Sequence, residues 1–276
     1  MTAAATLGRI DIEHVHMEVG DGAGRFEALH DVGLRIAPGE FVCLLGPSGC
    51  GKSTLLGALA GHLPPSRGSV RVDGAAVDGP HPDRGLVFQQ HTLFPWLRVI
   101  DNVAFGLKMK GVARAARHAR AHALLASVGL DGCESRWPSQ LSGGMQQRVE
   151  IARVLINEPR VLLMDEPFGA LDALTRSRMQ QLLLEVWERF RTTVVFVTHD
   201  IDEALFLADR LLVMSARPGR IVEDLRLDFP RPREAELVTS PRFAELKRHC
   251  LHLLQRGEAD TPLPRMTPLG PPIATT

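Results

Sequence analysis

The stretch Gly46-Pro47-Ser48-Gly49-Cys50-Gly51-Lys52-Ser53 constrains this chain more than any other. It follows the pattern G-x-x-x-x-G-K-[ST]. A short apolar run, Phe41–Leu45, precedes it, and a helical run, Lys52–Ala60, follows. Glycines let a backbone curl so closely that successive N–H groups point inward at phosphate oxygens. The start of the next helix adds a positive potential. The pattern therefore asks for a buried strand, a tight loop and a helix, in that order. Its candidate nucleotide contacts are Gly46, Pro47, Ser48, Gly49, Cys50, Gly51, Lys52, Ser53 and Thr54. Lys52 is expected to reach the β- and γ-phosphates, Ser53 to ligate Mg2+ and Thr54 to contact phosphate.

Taken alone, such a loop marks a P-loop NTPase, a class that includes kinases, GTPases and motors. The rest of the chain narrows the architecture. Residues 10–90 read as strands and turns around one helix. Residues 91–157 are rich in alanine, leucine and arginine and read as helical. Strand patterns return at VLLMD (161–165) and TVVFVT (193–198), with a helix expected over 175–189. Strands alternating with helices predict an α/β fold. We expect a P-loop NTPase (RecA-like) core with a mainly parallel sheet, an N-terminal antiparallel β part and an inserted α-helical subdomain. One ATPase domain is expected over residues 1–258, with the helical subdomain at about 91–157. A short helix is expected over 243–255, and a Pro-rich, disordered tail over 259–276.

Composition limits the partners. The 276 residues hold 32 basic and 32 acidic side chains, for a formal net charge of +0. That balance gives no whole-molecule attraction to nucleic acid. No apolar run approaches the roughly 20 residues of a membrane span, and the N-terminus lacks the pattern of a signal peptide. The chain is expected to stay in the cytoplasm, with any membrane association coming through a partner. Four cysteines lack CxxC spacing, and eleven histidines are scattered without metal-ligand spacing.

Val161–Asp165 is an apolar strand ending in Asp165 and Glu166. Asp165 is placed to hold Mg2+ as a Walker-B aspartate does, and Glu166 to polarise the attacking water as general base. His199 ends the strand Thr193–Thr198, where it can sense the γ-phosphate and hold that water.

Leu141-Ser142-Gly143-Gly144-Met145-Gln146-Gln147-Arg148 resembles the LSGGQ signature of ABC transporter ATP-binding subunits, with Met145 where many members have glutamine. The resemblance runs from about residue 10 to 225 and carries six motifs in order. It implies that Ser142, Gly143, Gly144, Met145 and Gln146 close over the ATP held by a second ABC ATPase subunit. It implies that Gln89 touches Mg2+ and the attacking water and that Asp172 belongs to the D-loop. It also implies that Phe26, 20 residues before Gly46, stacks on adenine, where a phenylalanine near a strand end would otherwise read as core. Whether the pair is a homodimer or mixes related subunits stays open, with the homodimer preferred.

Leu93–Leu97 (LFPWL), Asn102–Gly106, Asp165–Arg176 and RPGRIVEDLRLDFPRPR (217–233) resemble the nitrate/sulfonate/taurine importer branch. That branch implies ATP and Mg2+ as cofactors, transmembrane permease subunits as partners, and an extracytoplasmic solute-binding protein acting through the permease. Phe94, Pro95 and Trp96 are then candidates for permease coupling, unless Trp96 is packed inside the helical insertion. An ABC exporter, or an ABC ATPase acting on nucleic acid or ribosomes, would use the same chemistry. The neutral charge and the lack of coiled-coil insertions weigh against the latter. The basic run 108–122 reads as a solvated helix face or a lipid contact. Cys50, at a helix N-terminus, reads as a small loop-filling side chain or an activated thiol.

Overall fold

The computed structural model describes residues 7–20 and 22–259. The chain begins with β1 (Ile10–Val19), β2 (Phe26–Ile36) and β3 (Phe41–Leu45), then α1 (Lys52–Ala60), β4 (Arg67–Val72), β5 (Ala75–Ala76) and β6 (Arg84–Val87). Four helices follow with no strand between them: α2 (Val99–Val103), α3 (Phe105–Met109), α4 (Arg114–Ser127) and α5 (Gly143–Leu155). The alternation resumes with β7 (Val161–Asp165), α6 (Ala173–Phe190), β8 (Thr193–Thr198), α7 (Ile201–Leu207), β9 (Arg210–Met214), β10 (Ile221–Arg226) and α8 (Pro241–Ala259).

Two sheets result. One is antiparallel, in the order β2-β1-β4-β5; the other has the order β10-β9-β3-β8-β7-β6 and is parallel except for β10. This is the expected P-loop, RecA-like α/β core with an antiparallel N-terminal sheet and an inserted helical subdomain.

The inner strands β3, β7, β8 and β9 are apolar and buried almost throughout because both faces are covered. Period-two alternation divides them. Phe41, Cys43, Leu45, Leu162, Met164, Val194 and Phe196 face the core shared with α2–α8. Val42, Leu44, Val161, Leu163, Val195 and Val197 face α1 and the antiparallel sheet. Helix α1 lies between the two sheets, which explains why Leu55, Leu56, Ala58 and Leu59 are all buried rather than confined to one stripe.

Two helices are longer than their periodicity predicts, for capping reasons. The Asp172 side chain accepts from the Thr175 N–H at 3.0 Å and starts α6 two residues early. Ser240 caps α8 in the same way, accepting from the Phe243 N–H, with Pro241 in the first turn. The Pro-rich stretch from 260 on lies outside the described residues.

Candidate nucleotide site

Register puts three strand ends on one edge: Leu45 pairs with Thr198, and Asp165 with Val197. Gly46, Glu166 and His199 therefore leave the sheet together at its carboxyl edge, where parallel α/β sheets bind ligands. The loop after β3 turns at Gly49 (φ 75°) and Gly51 (φ 97°). A Cβ on Gly51 would lie 2.9 Å from the Ala28 carbonyl oxygen, so this position requires glycine for space as well as conformation.

Lys52 is buried. Its Nζ donates to the carbonyls of Gly46 at 2.8 Å and Pro47 at 2.9 Å, which holds the ammonium across the mouth of the loop. Ser53 Oγ donates to Asp165 Oδ1 at 3.0 Å, joining the loop to the acidic strand. Burial raises the Asp165 carboxyl; the Ser53 hydrogen bond opposes this, and the adjacent Glu166 charge adds to it. Mg2+ takes hard oxygen donors. Ser53 and Asp165 supply two within one hydrogen bond of each other, so these residues fit the ion.

Glu166 follows β7 in a left-handed conformation (φ 44°), with its N–H donating to the Val197 carbonyl. A non-glycine residue held there stores strain, a feature that gathers at functional positions. Glu166 Oε2 lies 2.9 Å from His199 Nδ1; the carboxylate is mostly shielded and the imidazole mostly exposed. Phe26, Ser48, Gly49, Gly51, Lys52, Ser53, Thr54, Gln89 and Glu166 line one cleft of about 420 Å³. Phe26 is 44% exposed, so it is a rim residue and not core.

Arg217 completes that rim. Its guanidinium lies 5.4 Å from the Phe26 ring centre and its Nε is 3.5 Å from the Gly49 carbonyl oxygen. Sequence reading passed over it, although it opens the RPGRIVEDL run. Arg176 was also passed over. It donates to Asp200 Oδ2 at 3.2 Å and to the Leu171 carbonyl at 3.1 Å, tying the segment before Asp172 to the one after His199.

Cys50 is 1% exposed, and burial pushes its thiol up, with Lys52 pulling less strongly the other way. Of the two readings of Cys50, the loop-filling one fits: the side chain is packed inside the loop instead of facing solvent.

The signature residues lie elsewhere. Ser142 caps α5, its Oγ accepting from the Met145 N–H, and Ser142 and Gly143 are exposed. Gln146 donates to the Pro138 and Leu141 carbonyls, and Gly144 is buried. None of residues 142–146 lines the cleft around Lys52.

A further cleft of about 670 Å³ lies beside the LFPWL loop and is lined by Phe94, Phe105, Met109 and Arg153 among others. Phe94 packs on Phe105 at 4.7 Å and on Trp96 at 5.6 Å. Pro95 is exposed and Trp96 is 70% exposed, so Trp96 is not packed into the insertion. Fully buried Asn102 holds the loop: its Oδ1 accepts from the Phe94 N–H at 2.8 Å, and its Nδ2 donates to the Leu97 carbonyl at 2.9 Å.

Comparison with known proteins agrees with this arrangement. The family model described as ABC transporter matches residues 29–169. The taurine import ATP-binding protein TauB of Rhizobium johnstonii is 51% identical, over 90% of this chain and 97% of that one. Among solved structures, a dimeric ATP-binding cassette in a post-hydrolysis state bound to ADP and Pi is 35% identical. It covers 80% of this chain and 100% of its own, with a TM-score of 0.70. The cbiO1 protein of Clostridium perfringens, described as part of the ABC transporter complex cbiONQ, is 28% identical. It covers 91% of this chain and 97% of its own, with a TM-score of 0.73.

Proposed function

The chain belongs to the ABC transporter family as an ATP-binding subunit, and from that premise we propose that it drives import of a small taurine-, sulfonate- or nitrate-like anion. It is an ABC-type ATPase. The observation that carries the hydrolytic part of the proposal is the 2.9 Å contact between Glu166 Oε2 and His199 Nδ1, beside the Ser53–Asp165 pair.

In the proposed mechanism the loop N–H groups and Lys52 cradle the phosphates, while Phe26, backed by Arg217, stacks on adenine. Ser53, Asp165 and Gln89 are the candidates to hold Mg2+. When bound, that ion would neutralise charge on the transferring phosphoryl oxygens. Glu166 accepts the proton of the attacking water, and His199 orients the Glu166 carboxylate through Nδ1.

Because Ser142–Gln146 stand away from the chain's own cleft, we assign them to the nucleotide of a second copy, in a head-to-tail dimer with Asp172 at the contact. The dimeric state of the cassette with ADP and Pi supports this. Phe94, Pro95 and Trp96 are assigned to the permease. Among the described residues, no helix is long and apolar enough to cross a membrane, so attachment through a permease on the cytoplasmic side is part of the proposal. An extracytoplasmic solute-binding protein and one ATPase unit over 1–258 complete it.

The test is reconstitution of the chain with the permease and binding protein encoded beside it, in liposomes. ATP turnover should rise when taurine, another sulfonate or nitrate is supplied with the binding protein. Failure to assemble with that permease, or turnover indifferent to every such anion, would refute the import reading.

A further inference from the structure

The antiparallel sheet carries a cluster that nucleotide chemistry does not use. On β1, Val15 and Met17 are buried, so His16 between them takes the opposite face. Glu27 and His30 of β2 meet it there. Glu27 Oε1 lies 2.9 Å from His16 Nδ1, and Glu27 Oε2 lies 2.8 Å from His30 Nδ1. The two imidazoles stand edge to face with centres 4.9 Å apart. One ligand atom from each of the three residues lies within 4.8 Å of the others. All three side chains are partly shielded, at 22%, 38% and 35% exposure, so solvent still reaches the cluster.

We propose that His16, Glu27 and His30 form a binding site for a divalent transition-metal ion of the zinc type. Two imidazoles and one carboxylate are a nitrogen-rich donor set, which suits Zn2+, Co2+, Ni2+ or Cu2+ over Mg2+. The Ser53–Asp165 pair offers oxygen alone, so the two places sort metals by donor chemistry. With neutral rings the cluster carries the single negative charge of Glu27, which favours a cation. Three protein ligands leave a fourth tetrahedral position to water. A second pair, His14 Nδ1 and Asp31 Oδ1 at 2.7 Å, adds another carboxylate close by. Bound metal would cross-link β1 to β2 one residue from Phe26.

The experiment uses the full chain, free of any histidine tag and stripped with chelator, titrated with Zn2+ alone by calorimetry. One equivalent should bind, and the melting temperature should rise with free Zn2+. His16→Ala and His30→Ala should each abolish the equivalent, with Mg2+-dependent ATP turnover confirming that the fold survives. Glu27→Gln, which keeps the side-chain shape, should abolish it too and replaces any variant that fails to fold. His199→Ala, which removes the imidazole paired with Glu166 in the nucleotide cleft, should leave it in place. An absent equivalent in the unaltered chain would overturn the proposal. So would an equivalent that survives the changes at 16, 27 and 30, or one that vanishes with His199.

Discussion

Replacing Glu166 by glutamine isolates the proposed base with little structural disturbance. Glutamine has the same shape, can still pair with His199 Nδ1 across the 2.9 Å contact, and leaves the Val197 hydrogen bond in place because that one uses the backbone. What it cannot do is take a proton. A positioned general base contributes roughly 10²–10⁴-fold. The upper half of that range applies here, because Glu166 is the one carboxylate among the described residues lining the cleft, and Asp165 is occupied with Ser53. Turnover should fall about 10³–10⁴-fold, or roughly 4–5 kcal/mol in the barrier. Removing the Glu166 charge also relieves the repulsion it exerts on Asp165, so nucleotide binding should survive. Phosphate release measures turnover, a fluorescent ATP analogue measures binding, and size-exclusion chromatography with ATP should show the dimer accumulating. Turnover within tenfold of the unaltered chain would refute the assignment of Glu166 as base.

Three other changes test separate parts of the molecule. Phe26→Ala removes a half-exposed stacking ring, at the low end of the range for base–aromatic stacking. ATP affinity should fall by about 1 kcal/mol, roughly fivefold, with little change in kcat, and an unchanged KM would count against Phe26. Asn102→Ala leaves the Phe94 N–H and the Leu97 carbonyl without their buried partner, at about 1–3 kcal/mol for each group. The melting temperature should drop and permease-stimulated turnover should fall, while basal ATPase stays level; equal loss of both activities would argue that the loop serves hydrolysis instead. Glu203 is 5% exposed, and burial raises its carboxyl despite hydrogen bonds from Thr198 and Gln180. A raised carboxyl favours folding below its unfolded value and loses that advantage as pH climbs through the folded one. Glu203→Gln should therefore gain stability relative to the unaltered chain as pH rises above 4.5, read from denaturant midpoints, and a gap that stays constant with pH would sink the argument.

Local features of the sequence located the catalytic edge, because loop, acidic strand and His199 each sit at the end of an apolar run whose length and punctuation mark a strand. The helical insertion was legible from its composition, and α6 only to within its cap, since an Asp172 side chain that bonds Thr175 looks the same in sequence as one that faces solvent. What escaped notice depends on approach between distant segments. Arg217 reaches Phe26 and Gly49 only because the Leu29–Gly219 bridge draws the segment before β10 against β2. Cys50 sits at a helix start, where a thiol can be activated, and its packing beneath the loop favours the other reading, a small loop-filling side chain. The three residues of the proposed metal site lie on two antiparallel strands, so their spacing along the chain carries no ligand period.

The place of β3 in the central sheet also bears on how the molecule is made. Both of its neighbours, β8 and β9, come far later in the chain. A ribosome that has finished residue 60 has synthesised the whole phosphate loop and its helix, yet none of the strands that hydrogen-bond to the strand beneath them. Asp165, Glu166 and His199 are likewise still to come. Nucleotide capture therefore waits until the segment through Met214 has left the ribosome, and a nascent chain cut short before β8 carries the loop's sequence without its binding site.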